Sequence, residues 1–278
     1  MRLNRALAAI ENNMAKPLSN EHTAELQSAK YLLENPGLAA RFSNLIASPI
    51  EKGMALLPAG ARKTILTVAK SSLEAALKSA LLTLGDKHQS AWNLTHKATA
   101  AITGATGGVF GLPALAIELP ISTAIMLRSI ADIARSEGEN LRSNESQLAC
   151  LEVFALGGPT SGDDAAESGY FGIRAALAGA VSEAAKYIAS TGAASAGAPV
   201  LIRLVTKIAA RFSIPVTQKA AAQAVPIIGA AGGALINTLF IDHFQDIARG
   251  HFVVRRLERI YGQKAVQATY EALPSGKN

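Results

Sequence analysis

Residues 98 to 117 carry no charged side chain, and a second uncharged stretch runs from Ala220 to Ile241. Segments of that length must lie in a protein core or enter a bilayer, so they constrain the fold more than any other feature of the chain. Their composition decides between the two. Both are rich in Gly, Ala, Thr and Pro and poor in Leu and Phe, which makes transfer into lipid only weakly favourable. The expectation is buried core helices, with re-entrant or interfacial insertion as the alternative. The chain is 49% hydrophobic but only 5% aromatic. Its apolar content is therefore mostly Ala, Leu, Ile and Val, and Ala and Leu are strong helix formers. No run of β-branched and aromatic residues alternates with polar ones over strand length. The sequence predicts an all-α protein, a compact multi-helix bundle with the two Gly/Ala-rich segments at its centre.

Periodicity places the helices. Residues 1 to 40 read as two, the second ending near Asn35-Pro36-Gly37, a strong breaker. After Pro49 and Pro58, apolar residues from Ile65 to Leu84 recur at helical spacing and predict an amphipathic helix over 61–84. Lys70, Glu74 and Lys78 line its opposite face, and Gly85 stops it. His88, Trp92 and His96 share one face of a short helix; their spacing is not a common metal spacing, so they read as structural. A helix within 138–165 precedes the turn cluster Leu156 to Asp164, where Asp163 or Asp164 would cap the next helix. That helix runs through Tyr170 and Arg174 to about Ser190, and Arg203, Lys207 and Arg211 mark a further amphipathic one. Residues 1–60 are expected as a helical extension packed on a domain over 61–265, with 266–278 as a tail, one structural domain in all.

Charge and cysteine usage exclude several classes. The one cysteine, Cys150, cannot form an intrachain disulfide and sits in an apolar stretch, so it reads as a small buried residue. The basic start of the chain is followed by an apolar run that ends at Glu11, too short for a secretory signal. A cytoplasmic location is expected. The net charge of +6 suits an anionic surface such as membrane lipid. A basic cluster at Arg249, Arg255, Arg256, Arg259 and Lys264 has only Phe252 and Tyr261 beside it. Nucleic-acid binding would want more aromatic or polar readers, and none is expected.

The two uncharged segments resemble each other. Gly104-Ala-Thr-Gly-Gly108 matches Gly229-Ala-Ala-Gly-Gly233, and each is followed by an Asp-Ile-Ala-Arg element, at 132–135 and at 246–249. The spacing differs, so an internal duplication with an insertion in the first copy is one reading and chance similarity in Ala-rich sequence the other. Each copy holds Gly at i and i+4, which lets two helix backbones approach closely. The two helices are expected to pack on each other. On a helix, Arg128, Asp132, Arg135 and Glu139 would form one polar ladder, and Asp242, Asp246 and Arg249 a second, with His243 and His251 beside it. Such charges must pair if buried, and their arginines can also hold an anionic head group.

The run from Gly111 to Glu139, Gly-Leu-Pro-Ala-Leu-Ala-Ile-Glu-Leu-Pro at its start, resembles the signature of the bacterial EcsC family. Cys150 to Gly157 and Val225 to Gly262 resemble its later blocks. The resemblance implies a helical domain over about Ala61 to Gly262 and no established activity. It leaves three functional readings. The first is a non-enzymatic module that binds lipid or lies on the cytoplasmic membrane surface, with Gly104, Gly108, Pro113, Glu118, Arg128, Asp132, Arg135, Gly229, Gly233, Asp242, His243, Asp246 and Arg249 as candidate ligand-binding residues. The second is a scaffold that works with a membrane transporter. The third is a hydrolase assembled from Glu118, His96, Asp242, His243, Asp246 and His251, although no hydrolase or metal motif is present. No catalytic residue, cofactor or metal is assigned.

Overall fold

The computed structural model describes residues 17–34, 37–84, 112–158, 169–191, 197–225 and 229–274. Among them the chain forms helices and no strand. In chain order these are α1 (Asn20–Glu34), α2 (Leu38–Ile46), α3 (Ile50–Ala55), α4 (Ala61–Thr83), α5 (Leu112–Ser136), α6 (Asn144–Leu156), α7 (Tyr170–Thr191), α8 (Pro199–Gln223), α9 (Gly229–Tyr261) and α10 (Gln263–Ala272). The all-α bundle is present as expected, and α4 ends within one residue of its periodic pattern.

The innermost element is α6. Every residue from Ser146 to Leu156 is buried, and α4, α5, α7, α8 and α9 all pack against it. A helix that is apolar on all sides has no outward face and must be surrounded. Ser143 caps its start by accepting a hydrogen bond from the Ser146 amide at 3.2 Å. Around its far end Phe154, Phe212 and Phe244 meet edge to face or tilted, with ring centres 5.0 to 5.5 Å apart, and Phe244 lies directly on Gly157.

Helices α5 and α9 pack side by side and run parallel. The contacts between them climb both together: Ser129 accepts from Gln245 at 2.8 Å, and Glu139, just beyond α5, accepts from Arg255 at 2.8 Å, each pair 116 residues apart. The two Asp-Ile-Ala-Arg elements therefore lie at nearly the same level. Each forms the same internal salt bridge, Arg135 to Asp132 at 2.6 Å and Arg249 to Asp246 at 2.8 Å.

Several expectations change. The uncharged stretch 220–241 is not one helix: α8 ends at Gln223 and α9 starts at Gly229, on either side of Pro226. Proline has no amide hydrogen and disfavours helix in the residue before it. Among the described residues no helix is long and apolar enough to cross a membrane. Glu139 does not complete the α5 ladder, because the helix ends at Ser136 and Gly138 turns the chain with φ of +79°. Two close helix approaches in the described residues use further glycines. A Cβ on Gly53 would lie 2.2 Å from the Ala221 carbonyl oxygen, and one on Gly250 would lie 2.7 Å from Leu33. Gly104, Gly108, His88, Trp92, His96, Asp163, Asp164 and residues 1–16 lie outside the described residues.

The first and last described helices meet. Helix α1 lies along α9, and the Arg256 guanidinium donates to Glu25 at 3.0 Å. The buried Lys30 ammonium donates to the Tyr270 and Leu273 carbonyls at 2.9 and 2.7 Å, closing the end of α10. Val266 and Tyr270 of α10 are buried.

Candidate functional site

Among the described residues the candidates named from sequence make contacts in several places. Glu118 joins a core triad: the Lys219 ammonium, completely buried, donates to Glu118 Oε1 at 2.5 Å and to Asn237 Oδ1 at 2.6 Å. It also sits 4.8 Å from the centre of the Phe240 ring. Burial lowers the Lys219 pKa and the Glu118 carboxylate opposes that shift. The triad ties α5, α8 and α9 together. Arg128 donates to the Thr83 hydroxyl at 3.1 Å. Asp132 and Arg135 pair with each other on an exposed surface. Asp246 holds Arg41 at 2.9 Å as well as Arg249, and Asp242 is exposed. Gly229 and Gly233 lie in the first turns of α9, and Pro113 in the first turn of α5.

The two buried histidines, His243 and His251, serve the core. His243 Nε2 donates to the Gly157 carbonyl at 2.7 Å and so fixes the end of α6 on α9. Burial pushes its pKa down to about 4. The His251 ring is buried with Nδ1 2.9 Å from the Tyr170 hydroxyl, and burial holds it well below the ordinary histidine value. His243 and His251 thus point at separate partners. Among the described residues no three His, Cys, Asp or Glu side chains come close enough to hold a metal ion. Cys150 is buried, and burial pushes its thiol up to about 12, so it is not a nucleophile in this setting.

Most of the C-terminal basic cluster is consumed internally. Arg255 and Arg259 both donate to the Glu139 carboxylate. Arg256 donates to Glu137 at 2.7 Å and to Glu25 at 3.0 Å. The open positive surface is elsewhere, on the adjacent helices α4 and α8. Helix α4 carries Arg62, Lys63, Lys70 and Lys78 against one acid, Glu74, and α8 carries Arg203, Lys207, Arg211 and Lys219 against none. Arg62, Lys63, Lys78, Arg203 and Lys207 are exposed. On the same two helices Leu66, Leu82, Ile202 and Ile214 also face solvent.

An open groove of about 820 Å³ runs along α7, closed on its other sides by the start of α6, Arg255 of α9, and α10. Its α7 wall is a strip of small and apolar residues, among them Ala175, Ala178, Val181, Ala185 and Ala189. At its base lies Glu152, a carboxylate in an otherwise apolar part of α6 and only 6% exposed. Arg174 is clamped by both oxygens of Glu258 at 2.7 and 2.9 Å and lies over the Tyr170 and Phe171 rings. Burial pushes the Glu152 carboxyl up to about 6, against the opposing pull of Arg174 and Arg255. Glu152, Arg174 and Arg255 were not singled out as a site by sequence reading. The one usable signal was Glu152 itself, a lone charge within Leu148 to Leu156.

Residues 20–257 match the model of the EcsC protein family. No curated protein and no solved structure matches the chain.

Proposed function

The chain belongs to the EcsC family, and from that premise we propose that it is a non-enzymatic helical module that associates peripherally with an anionic membrane surface. The reading rests on α4 and α8. Together they carry five exposed cations, of which Arg203 is paired with Glu183 of α7, and four exposed aliphatic side chains, with Glu74 as the only acid on either helix. Basic residues near an anionic leaflet each contribute about 1 kcal/mol of attraction, and exposed Leu and Ile side chains gain by entering the headgroup boundary. Among the described residues no helix is long and apolar enough to cross a membrane, which suits a contact made at the surface.

Co-sedimentation with vesicles tests this. Vesicles rich in phosphatidylglycerol should carry the protein down at low salt, and pure phosphatidylcholine vesicles should not. The triple charge reversal Lys63→Glu, Lys78→Glu and Lys207→Glu should abolish the association without lowering the melting temperature. Equal recovery with both vesicle types, or none with either, would overturn the reading. In that last case a complex with a membrane transporter, retrieved from cells, becomes the better account of the same face.

A further inference from the structure

The groove beside α7 contains a hydrogen-bond acceptor that the fold does not use. Among the described residues Glu152 makes no hydrogen bond and no ion pair, although it is 6% exposed. A buried carboxylate without a donor is costly, and the surface it retains opens into the groove. We propose that this groove is a binding site for a linear aliphatic primary amine, with the ammonium on the Glu152 carboxylate and the methylene chain along the small-residue strip of α7.

The charge of the walls selects a cation. Glu145, Glu152 and Glu271 line the groove, and none is in an ion pair. Of the lining cations, Arg174 is taken by Glu258 and Arg255 by Glu139, which leaves Lys186. Three carboxylates against one lysine give the groove a net charge of −2 once internal pairs are set aside. An anion would meet those carboxylates with no uncommitted arginine to receive it. The small opening onto Glu152 selects a compact head, and an ammonium offers three donors on a point charge where a guanidinium needs a flat, wide approach. Ala175, Ala178 and Ala189 are exposed on α7, and their short side chains leave a slot that suits methylene groups. The volume falls within the range of small-molecule sites. The site lies apart from the α4 and α8 face and does not depend on the membrane reading.

Acid should release the ligand. The groups nearest Glu152 are Arg174 of α7 and Arg255 and Glu258 of α9, and the two arginines keep their charge throughout. Glu152 takes up a proton near pH 6, and a neutral carboxyl no longer attracts an ammonium.

Calorimetric titration of the full chain with octylamine, and with octanoate as the same tail carrying an anion, is the test. Octylamine should bind saturably near neutral pH and octanoate should not. Glu152→Gln should weaken octylamine by about tenfold or more, the scale of a charge-assisted hydrogen bond, and affinity should fall by a similar factor near pH 5 in the parent but not in the variant. Ala178→Leu fills the slot from an exposed position and should also remove binding, with an unchanged melting curve. Octanoate binding as well as octylamine, or octylamine binding that ignores both substitutions, would overturn the proposal.

Discussion

Two buried groups of this bundle titrate in opposite senses, and they set how its stability follows pH. His243 is neutral in the fold with its pKa lowered to about 4. The unfolded chain protonates the same ring near pH 6.5, so its contribution is full above that value and is lost as pH falls toward 4. The span of about 2.5 units corresponds to about 3 kcal/mol. Glu152 runs the other way. Its folded pKa, raised to about 6, means the folded state holds the proton more tightly, so stability falls by about 2 kcal/mol as pH rises from about 4.5 through 6. Glu152→Gln should therefore be about 1–2 kcal/mol more stable than the parent at pH 7.5 and close to it at pH 4.5. Urea midpoints at the two pH values check this, and a gain of equal size at both would show that the carboxyl charge is not the cause. Lys219 is the residue whose loss should cost most. Lys219→Met strands Glu118 and Asn237 without their donor and should cost about 3–5 kcal/mol. Adding Glu118→Met should recover part of that loss, measured as a double-mutant cycle.

Helices hold each other here through small residues at a few crossings. Gly53 lets α3 sit on the end of α8, with no room for a methyl group beside the Ala221 carbonyl. Gly53→Ala should destabilise by about 2 kcal/mol or more because backbone must move. Gly37→Ala, at a position with open space around it, should stay within about 0.5 kcal/mol; thermal melts of both separate crowding from glycine chemistry. The contrast also bears on what the sequence discloses. Apolar spacing located α4 to within one residue because that helix has one buried face, and Pro58 marked its start. Helix α6 is buried all round, and its sequence predicted a helix within 138–165 with Cys150 buried, without saying that five others enclose it. The groove was hidden for a related reason. Its walls come from four helices distant in sequence, and no spacing rule connects Glu152 with Arg174, Arg255 and α10. The family signature at 111–139 was legible, yet its charged residues divide between a core triad and surface pairs, which only packing decides.

At the scale of the molecule the charge is sorted. The C-terminal arginines are neutralised by Glu25, Glu137 and Glu139, while the exposed cations of α4 and α8 are mostly left to solvent. Any attraction to anionic vesicles should therefore depend steeply on salt. Raising ionic strength from about 0.1 M to 1 M shortens the screening length from about 10 Å to 3 Å, and vesicle-bound protein should be largely released, as sedimentation would show. Each of Lys63→Glu, Lys78→Glu and Lys207→Glu should on its own weaken binding by at least about fivefold, the equivalent of 1 kcal/mol. The seam between α1 and α9 has a further consequence, for synthesis. The first described helix docks on the last long one, so the main partner surface of α1 does not exist until α9 has been made. A growing chain must therefore extrude α9 before α1 can dock. Until then the apolar face of α1 has no cover, so this seam should close late in folding. A chain that stops short of α9 should be held by chaperones or degraded.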